Sequence, residues 1–132
     1  MTDYEKVKKF LYSYYNFYRM KTEIEYFLKN GKYIYKKICN KKINAKKLKN
    51  NIDKLESIIK ESIDELSPVE RKTVNEFIIN NKGRLIVIFE NYISESTVYR
   101  IVDKMAYIIY KKICKNREME KTFFYVIKYL QI

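Results

Sequence analysis

Apolar residues recur at gaps of three and four along most of the chain. Between residues 3 and 30 they fall at Val7, Phe10, Leu11, Tyr14, Phe17, Tyr18, Ile24, Phe27 and Leu28, the spacing of one helical face. Asn30-Gly31 supplies the stop, because glycine tolerates the left-handed conformation that follows a helix C-terminus. A second seam, Leu48, Ile52, Leu55, Ile59, Ser62 and Leu66, alternates gaps of four and three and predicts a helix over 44–66. Packing onto the first helix explains it better than a dimer contact, which has the same spacing.

Ser67-Pro68-Val69-Glu70 is the clearest helix start. Ser caps the first free amides, Pro is tolerated at the first helical position, and Glu at the third closes a capping box. The helix it opens should run to about residue 80, with Val69, Val74, Phe77 and Ile78 turned to the core. Asn80-Asn81-Lys82-Gly83 makes the next turn, a short apolar helix follows over 84–90, and after Asn91-Tyr92-Ile93 a cap at Ser94 opens another. The closing stretch FFYVIKYLQI (123–132) is too apolar for a solvated tail, so it should fold back on the core or form a dimer contact. The fold class expected is therefore all-α. A helical N-terminal segment (1–65) of long helix, basic linker and heptad-like helix should precede a helix-turn-helix unit with a C-terminal helix (66–132).

Length and charge sharpen this picture without deciding it. At 132 residues and 47% hydrophobic content the chain can build a core. The net charge of +12 is unevenly spread: residues 1–50 hold 14 basic against 4 acidic groups, 51–81 hold 4 against 7, and 82–117 hold 8 against 3. Such a chain attracts nucleic acid or anionic surfaces without specifying either. The densest lysine run lies over 32–47, and reads equally as a phosphate-contacting strip or as a solvated helix end and linker.

Several classes of chemistry drop out. There are no histidines, so no His base and no His-containing metal site, and Gly31 and Gly83 are too isolated to form a phosphate loop. No enzyme, cofactor or metal site is expected. Cys39 and Cys114 read as reduced, buried small hydrophobes of a cytoplasmic protein rather than a disulfide. No secretory signal is visible, and the longest apolar run, LIVIF (85–89), is far too short to span a bilayer. The first helix is amphipathic and cationic, but core packing accounts for it better than membrane binding does. The tyrosines Tyr12, Tyr14, Tyr15 and Tyr18 invite a base-stacking role, yet their helical spacing favours packing against neighbouring helices.

Two short helices joined by a three-residue turn, the second opening at a capping serine, outline a helix-turn-helix. With Ser94 at the cap, Val98, Ile101, Val102 and Met105 point inward. Ser96, Tyr99, Arg100, Asp103 and Lys104 fall on the opposite side. These are groups that major-groove reading uses: Arg for a guanine edge, Asp for cytosine, Ser for either role, Tyr for phosphate or a thymine methyl. Lys82, Arg84, Ser94, Thr97, Lys111 and Lys112 are the candidates for phosphate, with the lysines between 36 and 47 as further ones.

Here the chain resembles a family. LSPVERKTV (66–74) and YISESTVYRIVDKMAYIIYKKI (92–113) are similar to region 4 of bacterial sigma factors. They are still more similar to the small phage late-gene transcription activators of the ArpU/RinA type. The positions that carry the likeness are Leu66, Glu70 and Arg71, then Ser94, Thr97, Val98, Tyr99 and Arg100; it covers residues 66–115, and YNFYRMKTEIEYFL (15–28) extends it weakly. Ile88 stands where the family usually has Ala, Tyr92 where the turn usually has Gly, and Asn91 where an apolar residue is common. The resemblance implies a phage or prophage regulator acting with host RNA polymerase. Sequence-specific binding of double-stranded DNA is the leading expectation, and homodimers would suit two half-sites. A helical protein-interaction module, either polymerase adaptor or sigma mimic, is the alternative of a different class. A nonspecific nucleic-acid packager is the third.

Overall fold

Ser13 divides the first helical stretch in two. In the computed structural model, α1 (Asp3–Tyr12) ends there and α2 (Tyr14–Lys29) begins, with the Ser13 amide shared between the Lys9 and Phe10 carbonyls. The structure describes residues 1–30, 34–38 and 41–130, residues 34–38 and 41–43 through their backbone alone. Gly31, Cys39 and the side chains of Lys36, Lys37, Lys41 and Lys42 thus lie outside the described residues.

Local chemistry starts each helix. Thr2 and Glu5 form a capping box at α1, with Asp3 and Glu5 favourable to the dipole in the first turn. Asn44 accepts from the Lys47 amide and opens α3 (Ala45–Asp64). Ser67 and Glu70 close the expected capping box on α4 (Pro68–Val74), which runs on into a π-helical stretch, Asn75–Ile79. Next come α5 (Arg84–Asn91), α6 (Glu95–Lys115) and α7 (Arg117–Ile127). Asn116 caps α7 by accepting from the Glu118 and Met119 amides.

The fold is all-α in its architecture, with one small addition. Instead of the helix end and linker expected over 32–47, an antiparallel hairpin pairs β1 (Ile34–Ile38) with β2 (Lys41–Asn44), Ile34 opposite Asn44 and Tyr35 opposite Ile43. Ile34 and Ile38, four residues apart, share a face in a strand as they would in a helix, so spacing does not separate the two at this length. Among the described residues no helix is long and apolar enough to cross a membrane.

The heptad-like seam is used inside the molecule. Leu48, Ile52, Leu55, Ile59, Ser62 and Leu66 are all buried, and α3 packs against α2, α6 and α7. Ser62 Oγ donates to the Ile58 carbonyl at 2.7 Å, which satisfies the one polar member of the seam. α1 lies along α6. Phe10 meets Phe17 and Phe123 edge-to-face, at centroid distances of 5.3 and 5.6 Å. The C-terminal stretch folds back, burying Phe123, Val126, Ile127 and Tyr129. One core therefore joins residues 1–65 to residues 66–130.

The expected faces shift in places. Val69 is exposed and its place toward the core is taken by Thr73, whose hydroxyl donates to the Val69 carbonyl. On α2, Tyr14, Phe17 and Ile24 are buried as expected, but Tyr18 is exposed and Met20 is buried instead. Cys114, expected in the core, is exposed.

Candidate nucleic-acid interface

The α5–α6 corner is built by a left-handed residue and a serine cap. Tyr92 closes α5 at φ 53°, ψ 41°, a conformation costly for a bulky side chain, at the position where the resembled family carries Gly. Asn91 is polar for a reason: its Nδ2 donates to Glu76 Oε2 at 2.8 Å and to the Val87 carbonyl at 2.9 Å. That ties α5 to the π-helical stretch. Ser94 Oγ accepts from the Thr97 amide and lies 2.8 Å from the Thr97 hydroxyl.

The buried face of α6 is the expected one: Val98, Ile101, Val102 and Met105, continued by Ala106, Ile109 and Ile113. The outward set is divided. Ser96, Arg100 and Lys104 are exposed. Tyr99 and Asp103 instead face α1 and α5. Asp103 is bonded to Lys8 at 2.9 Å and its carbonyl accepts from the Tyr4 hydroxyl. The Tyr99 hydroxyl accepts from Arg84 at 2.9 Å, and its ring lies 6.4 Å from that of Tyr12. Lys104 reaches both Glu70 oxygens at 3.0 Å.

The phosphate candidates are similarly mixed. Lys82 pairs with Glu90 at 3.4 Å, Arg84 with Glu95 at 3.2 Å and Lys112 with Glu65 at 2.6 Å. Ser94 and Thr97 spend their hydroxyls on the cap. Among the described residues Lys111 has no carboxylate partner; its ammonium sits 5.2 Å over the Tyr107 ring. Of the lysines at 36–47 only Lys46 and Lys47 have described side chains, and Lys47 lies 5.1 Å over the ring of Tyr125.

Charge on α6 is sorted by direction. The helix has two acids, Glu95 and Asp103, and each is matched by a cation from another element, Arg84 or Lys8. The Asp103 carboxylate in turn holds the Lys8 ammonium above its ordinary pKa. The open side is left with Arg100, Lys104, Tyr107, Lys111 and Lys115. The last four line a groove of about 330 Å³ together with Glu65 and Lys112. Tyr107 and Lys115 were missing from the expected set, although the gaps 100, 104, 107, 111, 115 follow helical spacing and would have found them.

Glu70 and Arg71, which carry part of the family resemblance, both have structural work. The Ser67 backbone amide and then Lys104 hold the Glu70 carboxyl below its ordinary pKa. Arg71 Nη2 donates to the Leu66 carbonyl at 3.2 Å, covering the end of α3.

On α5 the apolar residues turn outward. Val87 is its one buried side chain, whereas Leu85, Ile86 and Phe89 are exposed and Tyr92 is 95% exposed. Among the described residues no cluster of His, Cys, Asp or Glu could hold a metal ion. No family model matches the chain, and neither does any curated protein or solved structure.

Proposed function

We propose that the protein is a sequence-specific DNA-binding transcription regulator of phage or prophage origin, acting with host RNA polymerase. In this reading α5 and α6 form the helix-turn-helix and α6 lies in the major groove. One observation carries it: both acids of α6 are matched by cations from other elements, so its open face presents Arg100, Lys104, Lys111 and Lys115 with Ser96 and Tyr107. A base-reading edge needs donors free of internal partners, and Arg100 has the geometry for a guanine. Arg100 is the leading reading residue, with Ser96 once it leaves the Ser94 hydroxyl 3.1 Å away and Lys104 once it leaves Glu70. Lys111 and Lys115 hold phosphates, and the Tyr99 and Asp103 side chains brace α6 against α1 and α5.

Selection from a random duplex pool, run beside Arg100→Ala, tests the reading. An enriched motif that degrades at one base pair in the variant supports it, and half-site spacing reports whether the protein pairs. Absence of enrichment by the folded protein overturns it.

The exposed stripe of Leu85, Ile86, Phe89 and Tyr92 favours a second reading, a helical protein-interaction module on polymerase. Leu85 and Phe89, at i and i+4 on α5, are the kind of apolar anchors that a helix lays into a partner's groove, with Tyr92 beside them at the cap. Under that reading a Phe89→Ser variant loses polymerase capture, while DNA affinity is weak and insensitive to Arg100.

A further inference from the structure

The N-terminal tyrosines do not share one fate. Tyr14 is buried, but Tyr15 and Tyr18 are 52% and 55% exposed, so the packing role expected for the cluster holds for one of these three. Tyr15 and Tyr18 border a cleft of about 600 Å³ between α2, α3 and the π-helical stretch. Sites for small organic ligands commonly occupy about 300–1,000 Å³.

The wall facing the tyrosines is made of carboxamides. Asn75 begins the π-helical stretch, and the Asn80 amide donates to the Asn75 carbonyl at 2.8 Å, which stacks these two residues one wide turn apart. Asn81 follows in the left-handed region at φ 52°. All three line the cleft, and none of the three side chains has a hydrogen-bond partner among the described residues. The floor is apolar, from Ile59, Ile63 and Ile79, and Lys60 stands at the rim, 74% exposed. Glu56 is the one carboxylate in the lining, and it is bonded to both Lys21 and Lys60.

That combination selects a ligand class. Exposed phenol faces stack on planar heteroaromatic rings. Each carboxamide offers two donors and an acceptor, the complement of a base edge. Lys21 is held by both Glu56 and Glu25, so the ammonium able to turn to a phosphate is Lys60, 3.6 Å from Glu56 at the exposed rim. We infer that the cleft binds a nucleotide, with its base against Tyr18, its edge on Asn75, Asn80 and Asn81, and its phosphate toward Lys60. Tyr18 takes the base because the Arg19 guanidinium already lies 5.9 Å over the Tyr15 ring. This is independent of duplex reading by α6, which uses other residues. A free nucleotide and an unpaired base of a single strand present the same chemistry.

The test is a titration of the full chain, followed through the side-chain amide resonances of Asn75, Asn80 and Asn81. The probes are adenosine, guanosine, cytidine and uridine monophosphates in turn, then mixed-sequence single-stranded DNA. Saturable shifts with a mononucleotide assign a free ligand, and saturable shifts with the strand alone assign an unpaired base. Tyr18→Ala and Asn80→Ala should each weaken binding about tenfold or more. Asn81→Gly, which keeps the left-handed backbone, should weaken it without loss of fold. No saturable shift with any probe overturns the inference, and so does undiminished affinity in all three variants.

Discussion

Lys8 Nζ lies 2.9 Å from Asp103 Oδ1, so a lysine of the first helix neutralises an acid in the middle of α6. The contact binds the N-terminal segment to the helix proposed to read DNA and turns that acid away from the open face. Both side chains are partly exposed, so the pair should be modest. A double-mutant cycle with Lys8→Ala and Asp103→Ala is expected to give a coupling of about 0.2–1 kcal/mol, diminishing with added salt. A coupling unaffected by salt would contradict the assignment.

Arg100 is exposed and has no carboxylate partner within the described residues. Arg100→Ala should cost about 1–3 kcal/mol on the preferred site and relax the preference at one base pair. If about six phosphates are neutralised, log K against log salt falls with a slope of roughly −5, and Lys111→Ala lowers that slope by about one. Equal losses on every duplex sequence from Arg100→Ala would make it a phosphate contact.

Tyr92 holds a left-handed backbone while its side chain is 95% exposed. Glycine there removes strain and gives up little packing against the described residues. Tyr92→Gly is expected to stabilise the fold by about 1 kcal/mol, measured by chemical denaturation. Under the polymerase reading the same change weakens capture, so the two measurements move in opposite directions.

Glu70 links the α4 cap to α6 and has a lowered pKa, first through the Ser67 amide and then through Lys104. A group whose folded pKa is depressed contributes stability above its unfolded pKa, near 4.5, and that stability is lost as pH falls through the folded value. Thermal scans taken downward through that window should show Tm falling. Glu70→Gln should flatten the fall, because Gln can still cap but cannot ionise. An identical acid limb in the variant would remove Glu70 from the account.

Phe10 and Phe123 are both fully buried and meet at 5.6 Å, although one belongs to each part of the sequence division at 65/66. Phe123→Ala should cost about 3–5 kcal/mol, and helical and tyrosine signals should be lost in one transition. Two separated transitions would show that residues 1–65 and 66–132 fold as independent units.

Helix starts were legible because their chemistry is local. Ser67, Ser94 and Asn44 each cap through atoms three residues away. The inward stripe of α6 was legible for the same reason, since periodicity fixes which positions share a face. The break at Ser13 was not legible. Its neighbours keep a helical pattern on both sides, and Tyr14, Phe17 and Ile24 stay on the buried face across it. The hairpin was hidden by a short stretch whose apolar spacing suits strand and helix alike.

The outward set on α6 separates the two kinds of information most clearly. Spacing determined that Ser96, Tyr99, Arg100, Asp103 and Lys104 lie opposite the core stripe. Which of them stay open was decided by elements distant in sequence: α1 brings Lys8 to Asp103, α5 brings Arg84 to Tyr99, and α4 brings Glu70 to Lys104. The same holds for the carboxamide wall, where Asn75, Asn80 and Asn81 face tyrosines some sixty residues earlier. Sequence by itself determined most helices, the caps at Ser67 and Ser94, and the inward stripes of α3 and α6, because those depend on neighbours three or four residues apart. Tertiary packing alone decided which polar groups find partners and which remain free for a ligand.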